Sequence, residues 1–187
     1  MKINIGSGSK RYDGIINIDS DAGSNPDFVV NLETENLPFD DNSVDYVMAH
    51  HILEHLGDGF FHCLKEIYRV CKHGAIIDVR VPHPRHDTFL IDPTHKRPIY
   101  PHTLDMFSKA RNKRDLDSNG CETPLGFIND IDLQVVDHNF VLDEYWIQKF
   151  KHLSEDECEH IARSMNNVIL EISIKLKVVK QNNTRRD

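Results

Sequence analysis

The chain has 187 residues, a formal net charge of −8 and 39% hydrophobic residues. This is enough for one domain with a substantial core, and the acidic excess disfavours a general nucleic-acid coat, which needs a basic face. No apolar run is long enough to span a bilayer, the N-terminus lacks the basic-then-apolar order of a secretory signal, and Cys63, Cys71, Cys121 and Cys158 form no Cys-x-x-Cys pair, so reduced thiols in a cytoplasmic protein are expected.

In chain order, Lys2 to Ile5 reads as a first strand and Ile15 to Ile18 as a second. The link between them, Gly6 to Gly14, is short, polar and bounded by glycine. Parallel neighbours usually need a crossover of a dozen or more residues, normally a helix. An extended loop or a single helical turn is expected here instead. Asp27 to Leu32 reads as a third strand, and Val44 to Ala49 as a fourth, introduced by the turn signal Asp40-Asp41-Asn42-Ser43. Gly59 to Cys71 has helical periodicity, with Phe60, Cys63, Leu64, Ile67 and Val70 on one face and His73-Gly74 closing it. Ala75 to Val81 is a fifth strand, stopped by Pro82.

Residues 82–101 are rich in His, Pro, Arg and Asp and read as a substrate loop. A short helix is expected over His102 to Ala110, and a mobile segment over about 111–126. Ile131 to Leu142 and Val168 to Val179 form a final antiparallel pair. Helical signal between them is confined to about Ser154 to Met165, where Ser154-Glu155-Asp156-Glu157 reads as a capped start. Residues 181–187 are a polar tail. There is no repeat and no dividing linker, so residues 1–180 form one domain. Alternating strands and helices imply an α/β sheet with helices on its faces.

The most informative residues are Ile3-Asn4-Ile5-Gly6-Ser7-Gly8 and Ile15-Ile16-Asn17-Ile18-Asp19. A strand that ends in Gly-x-Gly lets backbone approach a ligand, and a carboxylate ending the next strand can accept hydrogen bonds from ribose hydroxyls. Leu37-Pro38-Phe39, Ser43-Val44-Asp45-Tyr46-Val47 and Leu53-Glu54-His55 follow in order. Over residues 2–104 this series resembles the class I S-adenosylmethionine-dependent methyltransferases, in particular their small type 11-like branch. The resemblance implies a Rossmann-like fold with a seven-stranded, mostly parallel sheet of order 3-2-1-4-5-7-6, the seventh strand antiparallel and the first crossover helix shortened or absent. It implies that Gly6, Ser7 and Gly8 lie against the cofactor's methionine part and that Asp19 holds its ribose. Asn31 would meet the adenine amino group, with Glu33 as competitor, and Leu32 would pack on the ring. Ala49 and His50 would face the cofactor at the end of the fourth strand.

Methyl transfer from a sulfonium needs an aligned, deprotonated nucleophile. Histidine suits the role of base because it titrates near neutrality, and the chain has 12. His51, His83, His86 and His95 stand near predicted strand ends; His51, His95 and His86 are the catalytic candidates. His51-Ile52-Leu53-Glu54-His55 also resembles the Glu-x-x-Glu-His segment with which small-RNA 2′-O-methyltransferases and ubiquinone-pathway O-methyltransferases hold a divalent metal. Here His51 replaces the first Glu, and His95 would be the later partner. Metal-free methyltransferases also carry Leu-Glu-His, so a structural role for Glu54 and His55 stays open. A set of three imidazoles and a carboxylate suits zinc, iron, manganese or nickel better than magnesium. Arg80, Arg85, Lys96 and Arg97 are candidates to grip a substrate phosphate or carboxylate, or are solvated loop charges; Asp87 and Asp92 would orient histidines.

The leading expectation is methyl transfer to an oxygen or nitrogen of a small polar substrate such as a sugar, a nucleotide-sugar or a natural product. A 2′-O-methyltransferase acting on RNA, disfavoured by charge, and a nucleotide-binding Rossmann protein without transfer chemistry are the alternatives. No membrane partner is expected, and the final strand pair offers a route to a homodimer.

Overall fold

The computed structural model describes residues 1–120 and 122–180. Seven strands form one sheet in the order β3-β2-β1-β4-β5-β7-β6, as expected. They are β1 (Lys2–Ile5), β2 (Ile16–Asp19), β3 (Phe28–Val29), β4 (Val44–His50), β5 (Cys71–Pro82), β6 (Leu133–Leu142) and β7 (Ile169–Val178). β1 to β5 pair in parallel, whereas β7 runs antiparallel to both β5 and β6.

The connections through the first four strands contain no α-helix, only 3₁₀ turns such as Ala22–Ser24. The β1–β2 link is a loop pinned by backbone bonds, Ser7 N–H to Ile18 C=O and Ile15 N–H to Tyr12 C=O. α1 (Phe60–Val70) connects β4 to β5. Its Phe60, Cys63, Leu64, Ile67 and Val70 join Ile3, Ile5, Ile18, Val47, Ala49, Ile77, Val79, Ile172 and Ile174 in one buried core.

Parallel sheets are usually covered on both faces and read as continuous apolar runs. These strands alternate instead. Opposite the core they carry Asn4, Asn17, Tyr46, Asp78, Arg80, Ser173, Lys175 and Lys177, of which Arg80 and both lysines are exposed. The expectation of helices on both faces is therefore corrected. The α-helices that would cover the second face are missing from the chain between β1 and β4, and polar residues stand where that packing would need apolar ones.

The third strand is shorter than residues 27–32. The Asn31 Oδ1 accepts the Glu33 N–H at 2.9 Å, which turns the chain away from the edge. After β5 come α2 (Asp87–Leu90), α3 (Pro101–Asp105), α4 (Lys109–Asp117) and α5 (Leu125–Asn129). The helix expected over 102–110 is thus split in two, because Ser108 caps a new helix by accepting the Arg111 N–H. The segment expected to be mobile holds most of α4 and the start of α5. Arg111 pairs there with Asp105 at 2.8 Å and with Glu122 at 2.9 Å, and Asn112 is buried against the Met106 carbonyl. Cys121 and the polar tail lie outside the described residues. Between β6 and β7 stand α6 (Glu144–Phe150), missed in the sequence reading, and α7 (Glu155–Ser164), whose expected capping box of Ser154 and Glu157 is present.

Candidate active site

The C-terminal tips of β1 to β5 gather most of the sequence candidates. Gly6 and Gly8 take positive φ values of 61° and 51°, a region open to glycine at no steric cost. At Gly6 the close approach matters too, since a Cβ there would lie 2.5 Å from the Ile52 side chain. Asp19 organises the loop: its Oδ2 accepts the Gly8 N–H at 2.7 Å and its Oδ1 the Asp21 N–H at 2.9 Å. A carboxylate keeps further lone pairs after two such bonds.

Two cavities share Gly6. The smaller, about 170 Å³, is lined by Asp19, Ser20, Val30, Asn31, Leu32, Glu33, Ile52, His55 and Leu56. Glu33 is committed, accepting the N–H groups of Gly57 and Gly59 at 3.1 Å and pairing with Lys96; these hold its carboxyl below the usual range, the Gly59 bond most. Asn31 and Leu32, just past β3, line this cavity, with the Asn31 Oδ1 accepting the Glu33 N–H. The larger cavity, about 450 Å³, is a trough on the polar side of the sheet, lined by Ser7, Gly8, Ser9, Lys10, Tyr12, His50, His51, Arg80 and Glu171 among others. His50 therefore belongs to the trough, and Ala49 lines neither cavity because its side chain is fully buried in the core. A third groove, about 650 Å³ between α3, α4 and β6, shares no lining residue with these two and holds none of the candidates.

His51 sits at the mouth of the trough with a φ of 55°, a strained conformation for a non-glycine residue. Its Nδ1 lies 3.5 Å from Glu54 Oε1, and its Nε2 lies 2.9 Å from Glu171 Oε2. The neighbouring carboxylates, Glu54 first and Glu171 after it, raise its pKa above the ordinary imidazole value, against some opposition from burial. Glu54 is fully buried, and neither of its oxygens has a hydrogen-bond partner.

Glu54, His55 and His95 place potential ligand atoms within 4.8 Å of one another. The histidines are oriented from behind. His95 Nδ1 lies 2.8 Å from the Phe89 carbonyl, so it carries the proton and leaves Nε2 with a lone pair. His55 Nδ1 lies 2.9 Å from Thr94 Oγ1, whose own hydroxyl donates to Asp92 at 2.6 Å. Such backing is typical of metal-binding imidazoles. His51 stands beside this trio through Glu54 and is not a member of it.

His86 and His83 are elsewhere. His86 is buried and caps α2, its Nδ1 accepting the Thr88 N–H at 3.1 Å, while its Nε2 lies 3.4 Å from Asp143. His83 is buried edge-on to Tyr100 and Phe140, and burial pushes its pKa down to about 4. Neither lines either cavity at the strand tips. Of the four basic candidates, Arg85 donates to the Ala162 and Arg163 carbonyls, Lys96 pairs with Glu33, and Arg97 stacks 4.5 Å over the Phe60 ring. Only Arg80 reaches a cavity uncommitted. Of the two acids expected to orient histidines, Asp92 backs His55 through Thr94, whereas the Asp87 N–H donates to Asn167 Oδ1 at 2.7 Å on the α2 side. Sequence reasoning missed Lys10, Tyr12 and Glu171. The signal for Glu171 was present: it is an acid among the alternating isoleucines of β7.

The methyltransferase-domain family profile matches residues 13–78. No curated protein sequence matches the chain significantly. Among solved structures it is similar to a SAM-dependent methyltransferase from Archaeoglobus fulgidus, with 21% identity, coverage of 94% of this chain and 84% of that one, and a TM-score of 0.56. The cyclase SpnF is similar at 16% identity, 96% and 75% coverage and a TM-score of 0.54. So is the 1,6-didemethyltoxoflavin-N1-methyltransferase of Burkholderia thailandensis, solved with its substrate and S-adenosylhomocysteine, at 10% identity, 95% and 70% coverage and a TM-score of 0.54. The fold is that of SAM-dependent methyltransferases of known structure, and residues 13–78 carry the methyltransferase-domain match.

Proposed function

We propose that the chain transfers a methyl group from S-adenosylmethionine to an oxygen or nitrogen of a small polar acceptor, with His51 as the base. The adenosine would occupy the smaller cavity, with its ribose on Asp19 and its adenine beside Asn31 and Leu32. Its methionine part would cross Gly6, Ser7 and Gly8 into the trough. The observation that carries this reading is His51 itself: a strained, half-exposed imidazole that lines the trough, which shares Gly6 with the smaller cavity, and that is flanked by Glu54 and Glu171. A base so placed can take a proton from an acceptor aligned on the sulfonium. The small-molecule acceptor is supported by the Burkholderia neighbour and by the net charge of −8, which argues against RNA. The cyclase among the neighbours keeps a reaction other than methyl transfer as the competitor.

Calorimetry with S-adenosylhomocysteine and NAD tests the cofactor. The first binds and the second does not, and Asp19→Ala weakens binding at least about tenfold, the scale of charged hydrogen bonds lost. Binding of NAD alone would sink the proposal.

A second reading adds a divalent metal on Glu54, His55 and His95. It is favoured by the orphaned, fully buried Glu54 carboxylate, because a buried charge needs compensation. When bound, the ion would polarise a substrate oxygen and lower the pKa of an attacking hydroxyl. The chain's own part is to hold the carboxylate in place and to fix both imidazole tautomers through Phe89 and Thr94.

We also place the protein in the cytoplasm: no described helix is long and apolar enough to cross a membrane, and Cys63, Cys71 and Cys158 are free. The β6 edge exposes Val136, Phe140 and Val141 and is the surface on which a homodimer would pair. Sedimentation of wild type and Val136→Lys reads that directly.

A further inference from the structure

The trough contains charges that the methyl-transfer reading leaves unassigned. The carboxylates on this side of the sheet are engaged. Glu171 meets His51 Nε2 at 2.9 Å. Asp78 accepts the Tyr46 hydroxyl at 2.8 Å and lies 3.4 Å from His50 Nε2. The permanent cations are not engaged. Lys10, from the β1–β2 loop, and Arg80, from β5, line the cavity from two different elements. Neither side chain has an ion pair or hydrogen bond among the described residues, whereas the neighbouring Arg11 and Lys175 are paired with Asp27 and Asp137. Ser9 and Tyr12 add hydroxyls to the same wall.

We propose that Lys10 and Arg80 form an anion clamp in the trough, which takes a carboxylate or phosphate group beside the cofactor's sulfur. A guanidinium presents a planar fork that matches carboxylate and phosphate, and an ammonium adds a mobile point charge. Set in a concave wall whose acids are already occupied, the pair raises the local concentration of anions. The bare sheet face makes the clamp possible: where a first crossover helix would lie, a ten-residue loop from Gly6 to Ile15 carries Lys10 across the sheet toward Arg80. The anion has two candidate sources, the α-carboxylate of the cofactor and an acidic group on the acceptor. The position beside the sulfur rests on the cofactor reading above; the clamp itself does not.

The test is calorimetry on the full chain with three probes. They are S-adenosylhomocysteine, methylthioadenosine, which keeps the nucleoside and sulfur but lacks the amino-acid end, and inorganic phosphate added to the methylthioadenosine complex. If the clamp holds the cofactor's carboxylate, wild type binds S-adenosylhomocysteine at least about tenfold tighter than methylthioadenosine. Arg80→Leu then closes that gap and leaves methylthioadenosine affinity unchanged. If it holds the acceptor's anion, the gap survives in Arg80→Leu, while phosphate binds the wild-type complex and is lost in both Arg80→Leu and Lys10→Met. Either result supports the clamp. Unchanged affinities for all three probes in both variants overturn it. A wild type that binds neither nucleoside defeats the cofactor reading instead, and phosphate titration of the free protein still decides the clamp.

Discussion

β4 and β5 run side by side and each is followed at once by a histidine, His51 and His83, yet the chain treats the two ends in opposite ways. After β4, His51 is strained and half exposed, and the Glu54 next to it is buried without a hydrogen-bond partner. After β5, His83 and His86 are buried, and each has a backbone or side-chain partner. Strain and unsatisfied polar groups persist only where something other than stability keeps them. The difference separates two uses of one residue type: chemistry at the β4 end, and packing at the β5 end.

The sharpest break in this comparison is His51→Gly. Glycine relieves the positive φ, so the variant unfolds at higher denaturant, by about 1 kcal/mol. At the same time turnover of the wild-type acceptor falls about a hundredfold or more, the usual contribution of a general base. A variant both more stable and inactive marks a functional strain. Loss of stability together with activity would make His51 a structural residue.

Glu54 comes next. In thermal unfolding of wild type, manganese or zinc at about a hundred times its Kd stabilises the fold by about 2.7 kcal/mol, and Glu54→Gln abolishes the increment. Without added metal, Glu54→Gln changes stability little, because relief of a buried carboxylate without a hydrogen-bond partner offsets the loss of its attraction to His51. Identical melting of wild type with and without each ion ends the metal reading. The β5 end should ignore metals altogether.

His83 gives a pH signature instead. Burial lowers its pKa from 6.5 to about 4, so the folded state binds its proton less readily than the unfolded chain. Its contribution is complete above pH 6.5 and is lost as pH falls toward 4, at most about 3 kcal/mol. His83→Asn keeps an acceptor for the Arg85 N–H, which His83 Nδ1 accepts at 3.2 Å. It flattens that part of the acid limb in denaturation curves taken between pH 7 and pH 4.

The β4 end was more legible in sequence than the β5 end, for physical reasons. Gly6, Gly8 and Asp19 announce themselves because few residues tolerate positive φ or offer a carboxylate at a strand tip. Glu54, His55 and His95 were found because the segment from His51 to His55 resembles one that holds a metal in other methyltransferases, a resemblance that also implies a later histidine. His83 and His86 looked equivalent to His51 because burial is a tertiary property, set here by Tyr100, Phe140 and Asp143, which are distant in sequence. The bare sheet face was written in the alternation of Asn4, Asn17, Asp78, Arg80 and Lys175. β1 and β2 have only four residues each, so the alternation shows only when the paired strands are laid side by side. The β3 edge failed by length: two paired residues give no period to read.

The smallest effect is expected at Glu171, and it tests whether the two strand ends differ in sign as well as in use. Glu54 foremost, and Glu171 after it, raise the His51 pKa. His51 therefore contributes stability that is present below pH 6.5 and lost as pH rises through its folded-state value, the reverse of His83. Activity has the opposite slope to that stability, since a base must be neutral to act, so kcat/KM climbs with pH through the same raised value. Glu171→Gln removes one of the two carboxylates and leaves the imidazole in place. The climb in kcat/KM should move toward pH 6.5, with the rate at high pH nearly unchanged. The shift is small because His51 is half exposed and solvent screens its pairing. Glu54→Gln should move the same limb further, because Glu54 supplies the larger share. If neither variant moves it, the titrating group that governs the reaction is some residue other than His51.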